Sequence, residues 1–350
     1  MSGIARATAA GAIGICSLVI SIAAPCRSEA DEATTALLTR ELAAAEAHEG
    51  RASPQLLPVI EKLALARLRD GALDDAAALR RRALKIALAA SGNDSPSAAQ
   101  AMAALALTDI DRRRYLDAEP LLIIAARVLG AQGAADQPRV AAIYAGLARI
   151  ALARGDTRPA EAWASRSVEI ARRNPGGRSA EPLRALGAVL IAAGRFTEAA
   201  RVLDEALAED RKQHGADGED TARSLSQLAN LDLRDGKPGD ALALIEEATA
   251  IDQQRLGAAH PFIADDLHDL GLAYEALKRI DAARDAFIAA IQVLERGAGK
   301  ETPRVAYAEL ELSRLYRQQG NERAADAAFA DARRILNKAE AEEHRRERHA

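Results

Sequence analysis

Apolar residues recur along this chain at helical spacing, and the clearest case is the stretch 267–290. Leu267, Leu270, Gly271 and Tyr274 share one face of a first helical pattern; Ala283, Phe287 and Ala290 share one face of a second. A short polar turn at Lys278-Arg279 separates them. The spacing predicts a helix–turn–helix hairpin with small residues where its helices cross. The pattern repeats. Steps of 42 residues back from Gly271 land on Ala229 and Gly187, a step of 39 on Ala148, and two more of 42 on Ala106 and Ala64; one step forward lands on Ser313. Leucine precedes each of these (Leu63, Leu105, Leu147, Leu186, Leu228, Leu270, Leu312). Twelve residues beyond each is an alanine, from Ala76 to Ala325, and seven further on stands alanine or, at Ser167, serine.

The reason for such a register is steric. A side chain no larger than a methyl lets two helix axes approach, and leucines fill the groove beside the contact. One hairpin cannot bury its apolar face alone, so neighbours must stack on it. The expectation is an all-α solenoid of about seven stacked helix–turn–helix repeats over 54–338, with N- and C-terminal capping helices. Residues 31–53 supply the first cap and 339–350 a charged tail, helical by composition. Hairpins leaning in series predict a curved rack with no closed chamber. Pro96, Pro138, Pro261 and Pro303 fall at first helical positions, where a missing N–H costs nothing. Ser95 and Thr302 before two of them are candidate caps. Gly71, Gly155, Gly194, Gly236 and Gly320 fall where first helices end. The one register break, Arg173-Asn174-Pro175-Gly176-Gly177, is where a bend is expected.

Residues 1–30 read differently. Arg6 is the only charge before an apolar or small run from Ala7 to Ala24, and Ser28-Glu29-Ala30 offers small residues suited to cleavage before Asp31. This predicts a signal peptide and export to the periplasm. An uncleaved anchor facing the periplasm is the alternative, because the run is close to the length of a span. Both cysteines, Cys16 and Cys26, lie in this segment, so the mature chain has no thiol for disulfide, nucleophile or metal.

Composition narrows the class further. Aromatics are 3% of the 350 residues, so the core must be alanine and leucine rather than a deep aromatic pocket. The net charge of −4 leaves no basic footprint for nucleic acid. The six histidines contain no His-Glu-x-x-His and no i,i+4 pair for a metal. Asp265, Asp266, His268 and Asp269 cluster on one pattern and read as a solvated helix face. Gly297-Ala298-Gly299-Lys300 lacks the first glycine and the Ser or Thr of a phosphate loop. No cofactor, metal or catalytic residue is expected, and the chain reads as a non-enzyme.

The hairpin with its small crossing residues resembles the tetratricopeptide repeat. The 42-residue period is similar to the kinesin light chain type, and Leu256-Gly257-Ala258-Ala259-His260-Pro261 resembles that family's linker. Of the ladder of asparagines on that family's first helices, Asn230 is the clearest candidate here. The resemblance implies a concave groove lined by the first helices and a protein or peptide partner. Projecting the register gives Arg149, Arg184, Arg223, Ser226, Asn230, Arg234, His268, Tyr307 and Arg314 as groove residues. Arg149, Arg184, Arg223 and Arg234 form a basic cluster suited to acidic side chains or a C-terminus. The competing expectation is that these arginines pair with neighbouring acids. The function expected is an interaction scaffold in the bacterial cell envelope; the alternative is a regulatory or accessory subunit of an envelope enzyme or secretion complex.

Overall fold

The computed structural model describes residues 29–131, 138–173, 179–258 and 260–347. Residues 1–28 of the expected signal segment and most of the expected bend at 173–177 lie outside them, while Glu29 and Ala30 begin the first helix. The described residues contain fifteen α-helices: α1 (Glu29–Glu49), α2 (Leu57–Arg69), α3 (Leu73–Ser91), α4 (Pro96–Asp111), α5 (Tyr115–Ala131), α6 (Pro138–Ala153), α7 (Thr157–Arg173), α8 (Ala180–Ala192), α9 (Phe196–His214), α10 (Glu219–Arg234), α11 (Pro238–Leu256), α12 (Pro261–Ala276), α13 (Ile280–Ala298), α14 (Pro303–Gln318) and α15 (Glu322–Glu347). Helices α2 to α15 pair as seven hairpins, and α1 packs on the first. The second helices α3 to α13 run 17–19 residues against 13–16 for the first helices, so the longer period does lengthen the second helix. Helix α15 continues through the charged tail to Glu347 without a break.

The small-residue register is buried throughout. Ala64, Ala106, Ala148 and Ala229 are fully buried, and so are the alanines twelve positions on, from Ala76 to Ala325. Serine at a register position must satisfy its hydroxyl. Ser313 Oγ donates to Ala325 O at 2.8 Å and Ser167 Oγ to Ala141 O at 2.6 Å, each across a helix crossing. The glycines at this register answer large partners. A Cβ on Gly187 would meet Leu203 Cδ2 at 2.4 Å, and one on Gly271 would meet Phe287 Cε1 at 2.5 Å.

The expected helix ends are met at some positions and not at others. Ser95 Oγ accepts from Ala98 N at 3.1 Å as expected. Thr302 does not cap α14: its Oγ1 is buried without a partner. The first helices end in a left-handed residue, and Gly71, Gly155, Gly194, Gly236 and Gly320 supply it in five hairpins. The same place holds Arg113 at φ 59° and Lys278 at φ 61° in the other two.

Neighbouring first helices also touch one another, α4 to α6, α6 to α8, α8 to α10 and α10 to α12. That places the first-helix layer on the inner, shorter side of the curve. The curvature is strong enough to bring the first hairpin back against the linker before α12. The repeat register does not anticipate this contact. His260 is 5% exposed, and its Nε2 lies 3.3 Å from Leu68 O. A Cβ on Gly71 would meet Pro261 Cδ at 2.6 Å. The turn of one hairpin is thus seated on the linker of another 192 residues away in sequence. Alanine-and-leucine crossings hold axes close on one side of every step, and the small offset accumulates until the ends of the arc meet.

Candidate functional site

The contact at His260 is built from neutral imidazole. Nδ1 accepts from Phe262 N at 3.2 Å, capping α12, which assigns the proton to Nε2, facing the Leu68 carbonyl. Burial drives the His260 pKa down to about 4, against the hydrogen bond to Leu68, which favours the proton. The ring also meets Phe262 edge-on, with centroids 4.8 Å apart.

Behind this contact lies a hollow of about 460 Å³. Its wall comes from the first helices and their turns: Leu65, Leu68 and Arg69 of α2, Asp111 of α4, Arg113 after it, Arg149 of α6, Glu219 and Arg223 of α10, Phe262 and Asp265 of α12, and Arg304 of α14. Five arginines face three acids there, in a chain whose net charge is −4. Arg149 pairs with Asp111 at 2.9 Å and Arg304 with Asp265. Arg304 Nε is buried without a partner. Arg223 pairs with Asp220 at 2.7 Å and lies over the Phe262 ring, 5.0 Å from its centroid. Arg69 and Arg113 are exposed and have no ion pair or hydrogen bond of their side chains among the described residues.

The groove residues expected from sequence divide accordingly. Arg149 and Arg223 line this hollow together. Arg184 is placed apart from it. Its guanidinium, 11% exposed, donates to Asp210 at 2.5 Å and also reaches Asp220 at 3.4 Å. Ser224 Oγ donates to the same Asp210 oxygen at 2.6 Å. Burial pushes the Asp210 carboxyl up against the pull of Arg184. Asp210, His214 and Asp220 bring metal-type donors together, but the Arg184 guanidinium already supplies the positive charge to two of them. Ser226 donates to Asp266 at 3.1 Å. Asn230 is half-buried and Arg234 exposed, both on α10. His268 sits 3.5 Å from Asp269. Tyr307 is 52% exposed on α14. Arg314 holds Glu275 of the neighbouring first helix through two bonds at 2.5 and 2.6 Å. Most of the expected basic cluster therefore has acidic partners within the chain. Pairs such as Arg149–Asp111 and Arg314–Glu275 join one hairpin to the next.

The acidic run on α12 is corrected in one respect. Asp265 is exposed, but Asp266 is only 4% exposed and faces α10 and α11 rather than solvent. What sequence reasoning missed is the hollow itself. Its arginines lie in five different hairpins, and nothing in a linear register reports that hairpin one touches linker five.

Serial helical hairpins with an inner first-helix layer define an α-solenoid of the repeat-protein class. The tetratricopeptide repeat family model matches residues 178–254 and 262–338, so hairpins four to seven are tetratricopeptide repeats, and hairpins one to three continue the same stack. No curated protein matches the sequence. Among solved structures, BtubC (BKLC) from P. vanneervenii is similar at 19% identity, with 65% of this chain and 92% of that chain covered and a TM-score of 0.51. Cut9–Hcn1, from an APC/C hetero-tetramer, is similar at 13% identity, with 87% and 56% covered and a TM-score of 0.57. A Podosopora anserina kinesin light chain with nearly identical TPR-like repeats shares 22% identity over 56% of this chain and 94% of that one, with a TM-score of 0.44. The first two likenesses support the fold.

Proposed function

We propose that the protein is a non-catalytic interaction scaffold of the bacterial cell envelope, receiving an acidic protein or peptide segment on the inner face of its first helices. The observation that carries this reading is the first-helix layer, in contact from α4 to α12, with charged side chains on it, a surface built for polar recognition. The repeat family supports the scaffold role. The sequence pattern of residues 1–30 supports export, and no helix among the described residues is long and apolar enough to cross a membrane.

Acid recognition here works by exchange. Exposed ion pairs are each worth about 0–1 kcal/mol. A partner carboxylate can therefore displace Asp111 from Arg149 at small cost, whereas Glu275, 15% exposed and held by Arg314 and Gln318, stays in place and leaves Arg314 to reach a second acid. Arg184 cannot take part, because freeing it would strand the buried Asp210 at a cost of about 3–5 kcal/mol. The acid-binding surface narrows to Arg149, Arg223 and Arg314, with Arg234 and Tyr307 beside them.

The test is affinity capture from an envelope extract, with wild type against Arg149→Glu/Arg223→Glu. A partner held by wild type is expected to fall about tenfold with the variant, consistent with losing one or two charge-assisted contacts. Equal recovery of the same partner by both proteins would overturn the acidic-segment reading.

A further inference from the structure

We propose that the hollow bounded by the His260–Leu68 contact is a binding site for a compact oxyanion of two or more charges, a small polycarboxylate or a phosphate compound. Three independent observations converge on it.

The volume comes first. At about 460 Å³ the hollow is in the range of small-molecule pockets, roughly 300–1,000 Å³. With hairpin one seated on the linker before α12, it suits a compact solute better than a helix or a long peptide. The charge comes second. Asp111, Asp265 and Asp220 take up Arg149, Arg304 and Arg223, which leaves the exposed Arg69 and Arg113 as the lining guanidinia without an acidic partner among the described residues. Planar donor forks at fixed positions fit the oxygens of carboxylate or phosphate in pairs.

The third observation is Arg113. The turn after each first helix needs a left-handed residue, and five of the seven hairpins use glycine. Arginine at φ 59° costs about 1–2 kcal/mol in that conformation. Among the described residues its side chain makes no bond to offset the cost, yet it lies on the wall of the hollow, as Arg69 does. Backbone strain of this kind collects at ligand clamps. Lys278, the other left-handed basic residue, is exposed and away from the hollow, and serves as a built-in control.

The site shares Arg149 and Arg223 with the acid-binding surface of the scaffold reading, but it takes a small anion and needs no partner protein. It is tested by titrating citrate and, separately, pyrophosphate into the full chain by calorimetry, against sodium chloride of matched ionic strength. The two anions distinguish carboxylate from phosphate chemistry, and saturable one-to-one binding of either supports the site. Arg113→Gly is expected to weaken that binding at least tenfold while raising the melting temperature of the unliganded protein. Lys278→Gly is expected to raise the melting temperature and leave binding unchanged. Arg69→Gln, with an unaltered backbone, is expected to weaken binding without raising the melting temperature. Absence of binding by both anions, or wild-type affinity in Arg113→Gly, would overturn the proposal. Partner capture by Arg113→Gly then reports on the scaffold reading separately.

Discussion

Phe287→Ala is expected to destabilise the C-terminal hairpins by about 3–5 kcal/mol, the usual cost of emptying a buried aromatic site. The ring is fully buried between α12 and α13 and packs into the core with Leu267, Leu270 and Ile291. Its place is made by an absence. Gly271 faces it, and a Cβ there would lie 2.5–2.7 Å from three ring atoms. Gly271→Ala ought to gain about 1 kcal/mol from helix propensity. Overpacking, at about 1–3 kcal/mol, opposes this, because a rigid ring between two helices cannot bend aside. The net expectation is loss of stability, measured by urea denaturation with a probe on the C-terminal hairpins. Gly271→Ala/Phe287→Leu should recover part of the loss, since leucine withdraws the atoms that collide. Neighbours in contact are non-additive, so the double-mutant cycle reads the coupling directly. A more stable Gly271→Ala single variant would refute the pairing of glycine with phenylalanine.

This pairing shows what the sequence makes legible. Small residues at a fixed step, leucine beside them and alanine twelve positions on are all consequences of close axis approach; burial follows at every small and alanine position, while Leu186 and Leu228 among the leucines are only half-buried. Hairpin boundaries were readable for the same local reasons, through Pro at helix starts and Gly at helix ends. Arg113 and Lys278 broke the glycine rule, because the left-handed conformation is imposed by the hairpin and overrides local preference. His260 was readable as a linker residue but not as a contact, since its partner Leu68 is brought to it only by the summed curvature of the intervening hairpins. The groove arginines were placed on the right helices. Which of them had acidic partners depends on inter-hairpin distances that a register does not encode, as Arg184 with Asp210 illustrates. The same blindness hid the burial of Asp266.

That buried carboxyl makes stability depend on pH in an unusual direction. Asp252 on α11 and Asp266 on α12 are 3% and 4% exposed, and Asp252 Oδ1 and Asp266 Oδ2 have no hydrogen-bond partner. Burial pushes Asp252 up to about 7 although Arg223 pulls it down. Burial, reinforced by the charge of Asp252, pushes Asp266 up to about 8 although Ser226 donates to it. Glu219, Asp265 and Asp269 add to the repulsion around the pair. In the unfolded chain both titrate near the ordinary value of about 3.9. Below pH ~4 the two groups are neutral in both states and contribute nothing to pH dependence. Between pH ~4 and the raised values the unfolded chain has released protons that the folded one retains. Stability therefore falls as pH rises, by up to about 1.4 kcal/mol per unit for each group, and levels off once both ionise in the folded state. Asp266→Asn removes one ionisation and keeps the acceptor for Ser226. It is expected to stabilise the protein on the order of 2–4 kcal/mol at pH 8 and to change little at pH 4. Adding Asp252→Asn should give less than a second full increment, because the charge on Asp252 is part of what raises Asp266. Urea denaturation of the parent and both variants at pH 4, 6 and 8 checks this. An advantage for Asp266→Asn that stays constant across that range would mean that folding does not raise the pKa of this carboxyl, and would refute the argument.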